Sequence, residues 1–198
     1  EEITLLRGMT DEMVKDRAID WSRVDAILEA ADIIVSHNAS FDRAFMDRYS
    51  SISPDSVWVC TIDDIDWLAR GFTNTKQELL CHWHGFYFEA HRAMNDVNAL
   101  IHLLTHQHYN GNRPVLELIG NAGKQLYVIH ATNFPYDEVK KDTIKANGYQ
   151  WNGVDKIWYK RVNFVNLESE KDWLTSVIYD THFLGEVEEI NLVDKYKI

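Results

Sequence analysis

The stretch ADIIVSHNASFDRAFMDRYS, residues 31–50, decides how this chain is read. It opens on the apolar run Ile33-Ile34-Val35, whose lack of alternation suits a strand covered on both faces. It closes on a helical pattern with Phe41, Phe45 and Met46 on one side. Between strand and helix stand His37, Asn38, Ser40 and Asp42. The carboxyl end of a strand, where the chain turns into a helix, is where α/β folds place ligands and chemistry. By itself Asp42 reads equally as a carboxylate stabilising the first turn of its helix.

Upstream, GMTDEMVKDRAIDWSRVDAILEAA gives a short and a longer helix, with Thr10 and Asp20 as caps and an apolar face of Val24, Ile27 and Leu28. Downstream, SVWVCTIDDIDWLARGF predicts a strand over 57–61 and then a helix ending at Gly71. TKQELLCHWHGF predicts a helix stopped by Gly85. HRAMNDVNALIHLLTHQHY predicts a long helix starting near Arg92 or Ala93, with Ala93, Val97, Leu100, Ile101 and Leu104 as its apolar stripe. His91 then sits on the loop before the helix, so that it and Asp96 can lean into one cleft. NGNRP, 110–114, is a turn, and VLELIGNAG a short helix running into a linker near Asn121–Lys124.

Past the linker the pattern changes. Residues 124–198 read as strand, helix with Pro135 in its first turn, a hairpin about Asn152-Gly153, helix and strand. The order β-α-β-β-α-β suits a small split βαβ sandwich. On the hairpin, Tyr149, Trp151, Trp158 and Tyr159 form either a platform stacking unpaired bases, helped by Lys156, Lys160 and Arg161, or a core facing two helices. His82, His84, His102, His106 and His108 raise a zinc hypothesis, set against exposed or core histidines; no cysteine but Cys81 is placed to complete a structural site.

The bulk properties bound these readings. With 198 residues, 45% hydrophobic and 12% aromatic, the chain supports a real core in one domain or in one domain plus an appendage. Cys60 and Cys81 lack CxxC spacing, which suits thiols in a reducing, cytoplasmic setting. No apolar run approaches membrane-spanning length, so no membrane partner is expected. The net charge of −11 argues against coating DNA by charge alone, but not against a nuclease, whose carboxylates make it acidic until metal is bound.

Together, HNASFD at a strand end and H-x4-D opening an apolar helix about fifty residues later resemble the second and third motifs of the DEDD-type 3′–5′ exonucleases. The branch is the histidine-bearing one, which includes DnaQ-like proofreading subunits (the epsilon-subunit type), oligoribonuclease and RNase T. GMTDEMV is similar to a segment these proteins carry before the second motif. The resemblance implies a ribonuclease H-like α/β exonuclease domain over residues 1–120, with 124–198 as a small α+β domain. It implies Mg²⁺ or Mn²⁺ in a two-metal site, with Asp42 on one ion, Asp96 on the other, and His91 taking a proton from metal-bound water. It places Asn38 and Phe41 along the path of the 3′-terminal nucleotide. His37 reads either as a substrate contact or as a turn residue. The implied partners are 3′ ends of single-stranded DNA or RNA.

One family element is not found. The first motif, D-x-E, supplies the central bridging carboxylates, and no Asp-x-Glu occurs in the 198 residues. Asp64-Ile65-Asp66 is the nearest pattern and reads as a solvated face or cap. By analogy D-x-E falls several tens of residues before Glu1, with the first strands of the sheet. The alternatives are a catalytically inactive DnaQ-like module that binds nucleic acid or protein, and a nuclease half completed by another subunit.

Overall fold

In a computed structural model of the chain, which describes residues 10–109 and 111–197, the fold is mixed α/β, with eight α-helices and two sheets among the described residues. Gly8 and Met9 of the GMTDEMV segment, and Asn110 of the NGNRP turn, lie outside them. The chain divides into two compact units: one runs to Ala122 and includes Tyr196, and the other is Gly123–Lys195.

In the first unit, α1 (Asp11–Val14) starts on Thr10, whose hydroxyl accepts from the Met13 amide, and α2 (Trp21–Glu29) on Asp20, whose carboxylate accepts from Arg23. Strand β1 (Ile34–Ser36) runs into α3 (Ala39–Met46), and the chain returns to β2 (Trp58–Cys60). β1 and β2 pair in parallel with Ile34 opposite Trp58 and Ser36 opposite Cys60, which is a β-α-β unit. Helices α4 (Gln77–Trp83), α5 (Ala93–Leu104) and α6 (Pro114–Ala122) follow.

β2 is buried on both faces, because side chains alternate along a strand. Val59 joins Ile65, Trp67, Leu80, Leu103 and Leu118 on one side; Trp58 and Cys60 join Ala39 and Tyr196 on the other. β1 departs from the expected fully covered strand: Val35 is 37% exposed. The helical stripes also depart. Ile27 of α2 and Val97 and Ile101 of α5 are exposed, while Ala99, Leu103 and Leu104 are the buried residues of α5.

No helix forms after β2. The Asp64 carboxylate accepts the Cys60 amide at 2.8 Å, and the Trp67 indole donates to the Thr61 carbonyl at 2.7 Å. Ile65 and Trp67 both enter the core, an i, i+2 pair that a helix would send to opposite sides. Asp64 is therefore no solvated residue: it is 6% exposed and also accepts the Tyr196 hydroxyl at 2.7 Å.

A polar bolt holds α3 in place. Arg43, fully buried, donates to Asp47 at 3.1 Å and to the Pro54 carbonyl at 2.9 Å. Asp47 accepts the Ser53 hydroxyl at 2.5 Å, and Ser50 donates at 2.5 Å to Asp25 of α2. Burying a guanidinium is costly unless it is paired, so this network fixes one geometry for the helix.

The second unit contains β3 (Leu126–Ala131), α7 (Glu138–Ala146), β4 (Gln150–Asn152), β5 (Ile157–Asn163), α8 (Phe164–Trp173, continued by a π-turn over Leu174–Tyr179) and β6 (Glu186–Ile190). The sheet order is β4-β5-β3-β6 with every neighbouring pair antiparallel, the split βαβ arrangement. Pro135 lies ahead of α7 rather than in its first turn, because Asp137 is the cap and accepts from Lys140. The hairpin loop is longer than Asn152-Gly153: Asn152 pairs with Ile157, and Lys156 takes the left-handed conformation at φ 53°.

The four hairpin aromatics share no platform. Tyr149 and Trp158 are buried in the core beside Ile129, Ile144, Leu174 and Ile178. Trp151 stays half exposed, and the Tyr159 hydroxyl donates to Gln150.

Candidate active site

A cleft of about 880 Å³ opens at the carboxyl end of β1 in the first unit. His37, Asn38, Phe41, Asp42, His91 and Asp96, the six residues singled out from sequence, all line it. Such a volume is in the range of small-molecule and cofactor sites.

Three elements converge there. From the β1–α3 turn, Asn38 adopts a left-handed conformation (φ 70°, ψ 61°), which asparagine tolerates better than most residues. That kink lets the strand pass directly into α3, so Asp42 sits in the first turn and Phe41 beside it. The Phe41 ring is 73% exposed, an apolar face offered to the cleft rather than to the core. Asp42 is half-buried, and the Ser36 hydroxyl donates to its Oδ2.

The second element is the loop before α5. His91 has φ 66°, and its amide donates to Asp96 Oδ1 at 3.1 Å. Asp96 thus reaches back from the first turn of α5 to a backbone donor of the loop before the helix. Its own backbone carbonyl accepts the Gln77 side chain at 2.6 Å, tying α5 to α4. His91 Nε2 lies 3.9 Å from Glu78 Oε1, with both side chains more than half exposed.

His37 acts as a tie between elements. Its Nδ1 lies 2.8 Å from Thr61 Oγ1 just past β2, and the ring also bonds the Thr75 backbone. Burial lowers its pKa, against weaker opposing effects of Thr75, Asp42 and Asp63. With the Thr75 carbonyl taking the ring N–H, Nδ1 is left to accept the Thr61 hydroxyl. The ring thus bonds neighbouring elements and also lines the cleft.

Sequence reasoning missed several contributors, among them Ser36, Lys76, Gln77, Glu78 and Phe88. Gln77 and Glu78 looked like an ordinary helix start. Only the approach of α4 to α5 brings them to the cleft.

Divalent ions of the expected kind need several hard oxygen donors around one space. Among the described residues, no group of three or more His, Cys, Asp or Glu side chains could hold an ion. Asp42 is engaged by Ser36, and Asp96 by the His91 amide. The described residues alone do not assemble the ligand set of such a metal centre.

The histidine cluster is a set of rings packed edge to face. His84, His102 and His106 lie 5.2–5.4 Å apart in sequence of contact, and Phe86 packs edge-on against His102 at 4.3 Å. Among the described residues, no helix is long and apolar enough to cross a membrane. No family model, curated protein or solved structure matches the chain.

Proposed function

We propose that the first unit carries the substrate-binding part of a DEDD-type 3′–5′ exonuclease site and receives the 3′ end of single-stranded DNA or RNA. The observation that carries this reading is the single cleft lined by Asn38, Phe41, Asp42, His91 and Asp96, which come from segments about fifty residues apart in sequence. Phe41 offers a face on which a terminal base or sugar packs. Asn38 offers amide donors and acceptors, and Lys76 on the rim a cation for phosphate. His91 is exposed on the cleft wall, its amide held by Asp96 and its ring beside Glu78, and a histidine there is of the residue type that takes up a proton from water.

Hydrolysis asks for more oxygen ligands than these residues offer, so activity rests on a further carboxylate pair of the D-x-E kind. A second reading, a module that binds nucleic acid without cleaving it, fits a site in which the described residues form no group of three metal ligands.

The test is a 5′-labelled single-stranded oligonucleotide incubated with this chain in Mg²⁺, then Mn²⁺, beside Asp42→Ala and Asp96→Asn, with binding measured in parallel. Binding that needs a free 3′ end, with cleavage appearing only when a D-x-E-bearing segment is supplied, supports the exonuclease. Binding without cleavage in both forms leaves the binding module. No binding in either form removes both.

A further inference from the structure

Beside the cleft, an open groove of about 370 Å³ runs between the loop after α4 and a second side of α5. The loop contributes Phe86, Phe88 and Glu89, and the helix Asn98, Ala99 and His102. With Asn95, these helix positions recur at i, i+3, i+4 and i+7 and so share one side of α5. The cleft uses the neighbouring side, through Ala93, Asp96, Val97 and Leu100. Phe88 lines both spaces, so groove and cleft adjoin at one aromatic side chain.

The chemistry of the groove is not that of a phosphate site. Among the described residues, Glu89 is the one Asp, Glu, Lys or Arg that lines it, and a carboxylate repels phosphate. The rest is aromatic, amide or small. Phe86 packs edge-on against His102 with centroids 4.3 Å apart, which joins loop and helix in one wall of rings. Aromatic walls with amide groups beside them suit a planar, uncharged ring whose edge carries donors and acceptors.

Glu89 narrows the choice. Its backbone is fixed where Asn95 donates to the Glu89 carbonyl at 3.1 Å, tying the loop to the start of α5. Among the described residues, nothing pairs with its carboxylate. A carboxylate presents two acceptors side by side. Guanine is the base whose Watson–Crick edge offers two adjacent donors, N1–H and the N2 amino group, and in a single strand that edge is open.

We propose, on the reading of the cleft as a 3′-end site, that the groove is a nucleobase subsite favouring guanine: it takes the base of the second nucleotide from the 3′ end while the terminal nucleotide occupies the cleft. The base packs against the Phe86 and Phe88 rings and turns N1–H and the N2 amino group to Glu89. Asn98, exposed on the helix side, offers an amide donor for O6. The phosphates stay outside, away from the carboxylate.

The experiment uses the whole chain in EDTA, so that binding is read without hydrolysis. Fluorescence anisotropy compares a 5′-labelled thymidine tetranucleotide with strands carrying one guanine at each position in turn. Guanine second from the 3′ end tightens binding roughly tenfold over the all-thymine strand. Hypoxanthine at that position, which lacks the N2 amino group, loses most of the gain. In Glu89→Ala, which retains the backbone bond to Asn95, the guanine and all-thymine strands bind alike. Equal affinity for guanine at every position, hypoxanthine as good as guanine, or a preference that persists in Glu89→Ala overturns the subsite. If Phe41→Ala still weakens binding in that case, the reading of the cleft stands without it. No binding of any strand removes both. If Glu89→Ala does not fold, the comparison of guanine with hypoxanthine in the unmodified protein decides alone.

Discussion

The amide of His91 donates to Asp96 Oδ1 at 3.1 Å, so one cleft residue holds another in place. The bond closes the entry to α5 and sustains the positive φ of His91. Asp96 therefore has a structural task besides any chemistry, and the two tasks can be separated. Asp96→Asn keeps an acceptor for the amide and should leave stability within about 0.5 kcal/mol, whereas Asp96→Ala should cost about 1 kcal/mol. Urea unfolding of both variants checks this. Equal losses would mean that the bond does not anchor the loop.

Phe41 is the cleft residue whose removal should cost least to the fold. Its ring is mostly exposed, so Phe41→Ala should change stability by no more than about 0.5 kcal/mol. If a base stacks on the ring, the same change weakens oligonucleotide binding by about 1–3 kcal/mol. Fluorescence anisotropy titration, beside a melting curve, measures both.

Asp64 predicts the opposite balance. Asp64→Ala removes the acceptor of the Cys60 amide and of the Tyr196 hydroxyl inside the core. A loss of about 2–4 kcal/mol is expected from two buried donors deprived of a strong partner. Chemical denaturation followed by Trp67 or Trp58 emission would show it, and a near-neutral result would mean that water replaces the carboxylate.

In the second unit, Lys160 donates to Glu170 at 2.8 Å and Asn147 donates to its other oxygen at 2.7 Å, all partly buried beside the Tyr149 ring. Glu170→Gln leaves Lys160 without its counter-charge and should cost about 2 kcal/mol, below the full penalty of a buried pair because both groups keep some solvent. Lys160→Met with Glu170→Leu should recover most of that loss. A double-mutant cycle by urea unfolding tests the coupling.

Tyr179 is buried, donates to the Thr132 carbonyl at 2.7 Å, and has its pKa pushed up by burial to about 12. The unfolded phenol ionises near 10.0. The folded state thus retains the proton longer: stability is complete below the unfolded value and is lost as pH rises from there towards the folded one. Tyr149, also raised mainly by burial, acts in the same direction. Tyr179→Phe should flatten the alkaline decline while costing about 1 kcal/mol at neutral pH. Denaturation curves at about pH 8 and about pH 11 make the comparison.

Local chemistry wrote much of this molecule into its sequence. Thr10 and Asp20 cap the helices they precede, Gly85 and Gly148 follow helices with positive φ, and the β-α-β-β-α-β order of the second unit follows from periodicity and turns. Asn38, Phe41 and Asp42 were legible for the same reason, because a strand end and a helix start are separated by only a few residues. His91 and Asp96 needed only the position of one helix start. Glu78 carried no local mark, since it reaches the cleft only through the approach of α4 to α5, while Ser36 ends β1 itself and meets Asp42 across the turn.

What the sequence alone determined is where the elements lie and which residues stand at their ends, because capping, turns and side-chain periodicity act over a few positions. What only the tertiary structure decided is which side chains are buried. Asp64 is buried through a partner 132 residues away, and Arg43 through Asp47 and Pro54, while Ile27, Val97 and Ile101 remain exposed on faces the pattern assigned to the core. Burial depends on what packs against a residue, and packing partners are chosen by the whole chain rather than by its neighbours in sequence.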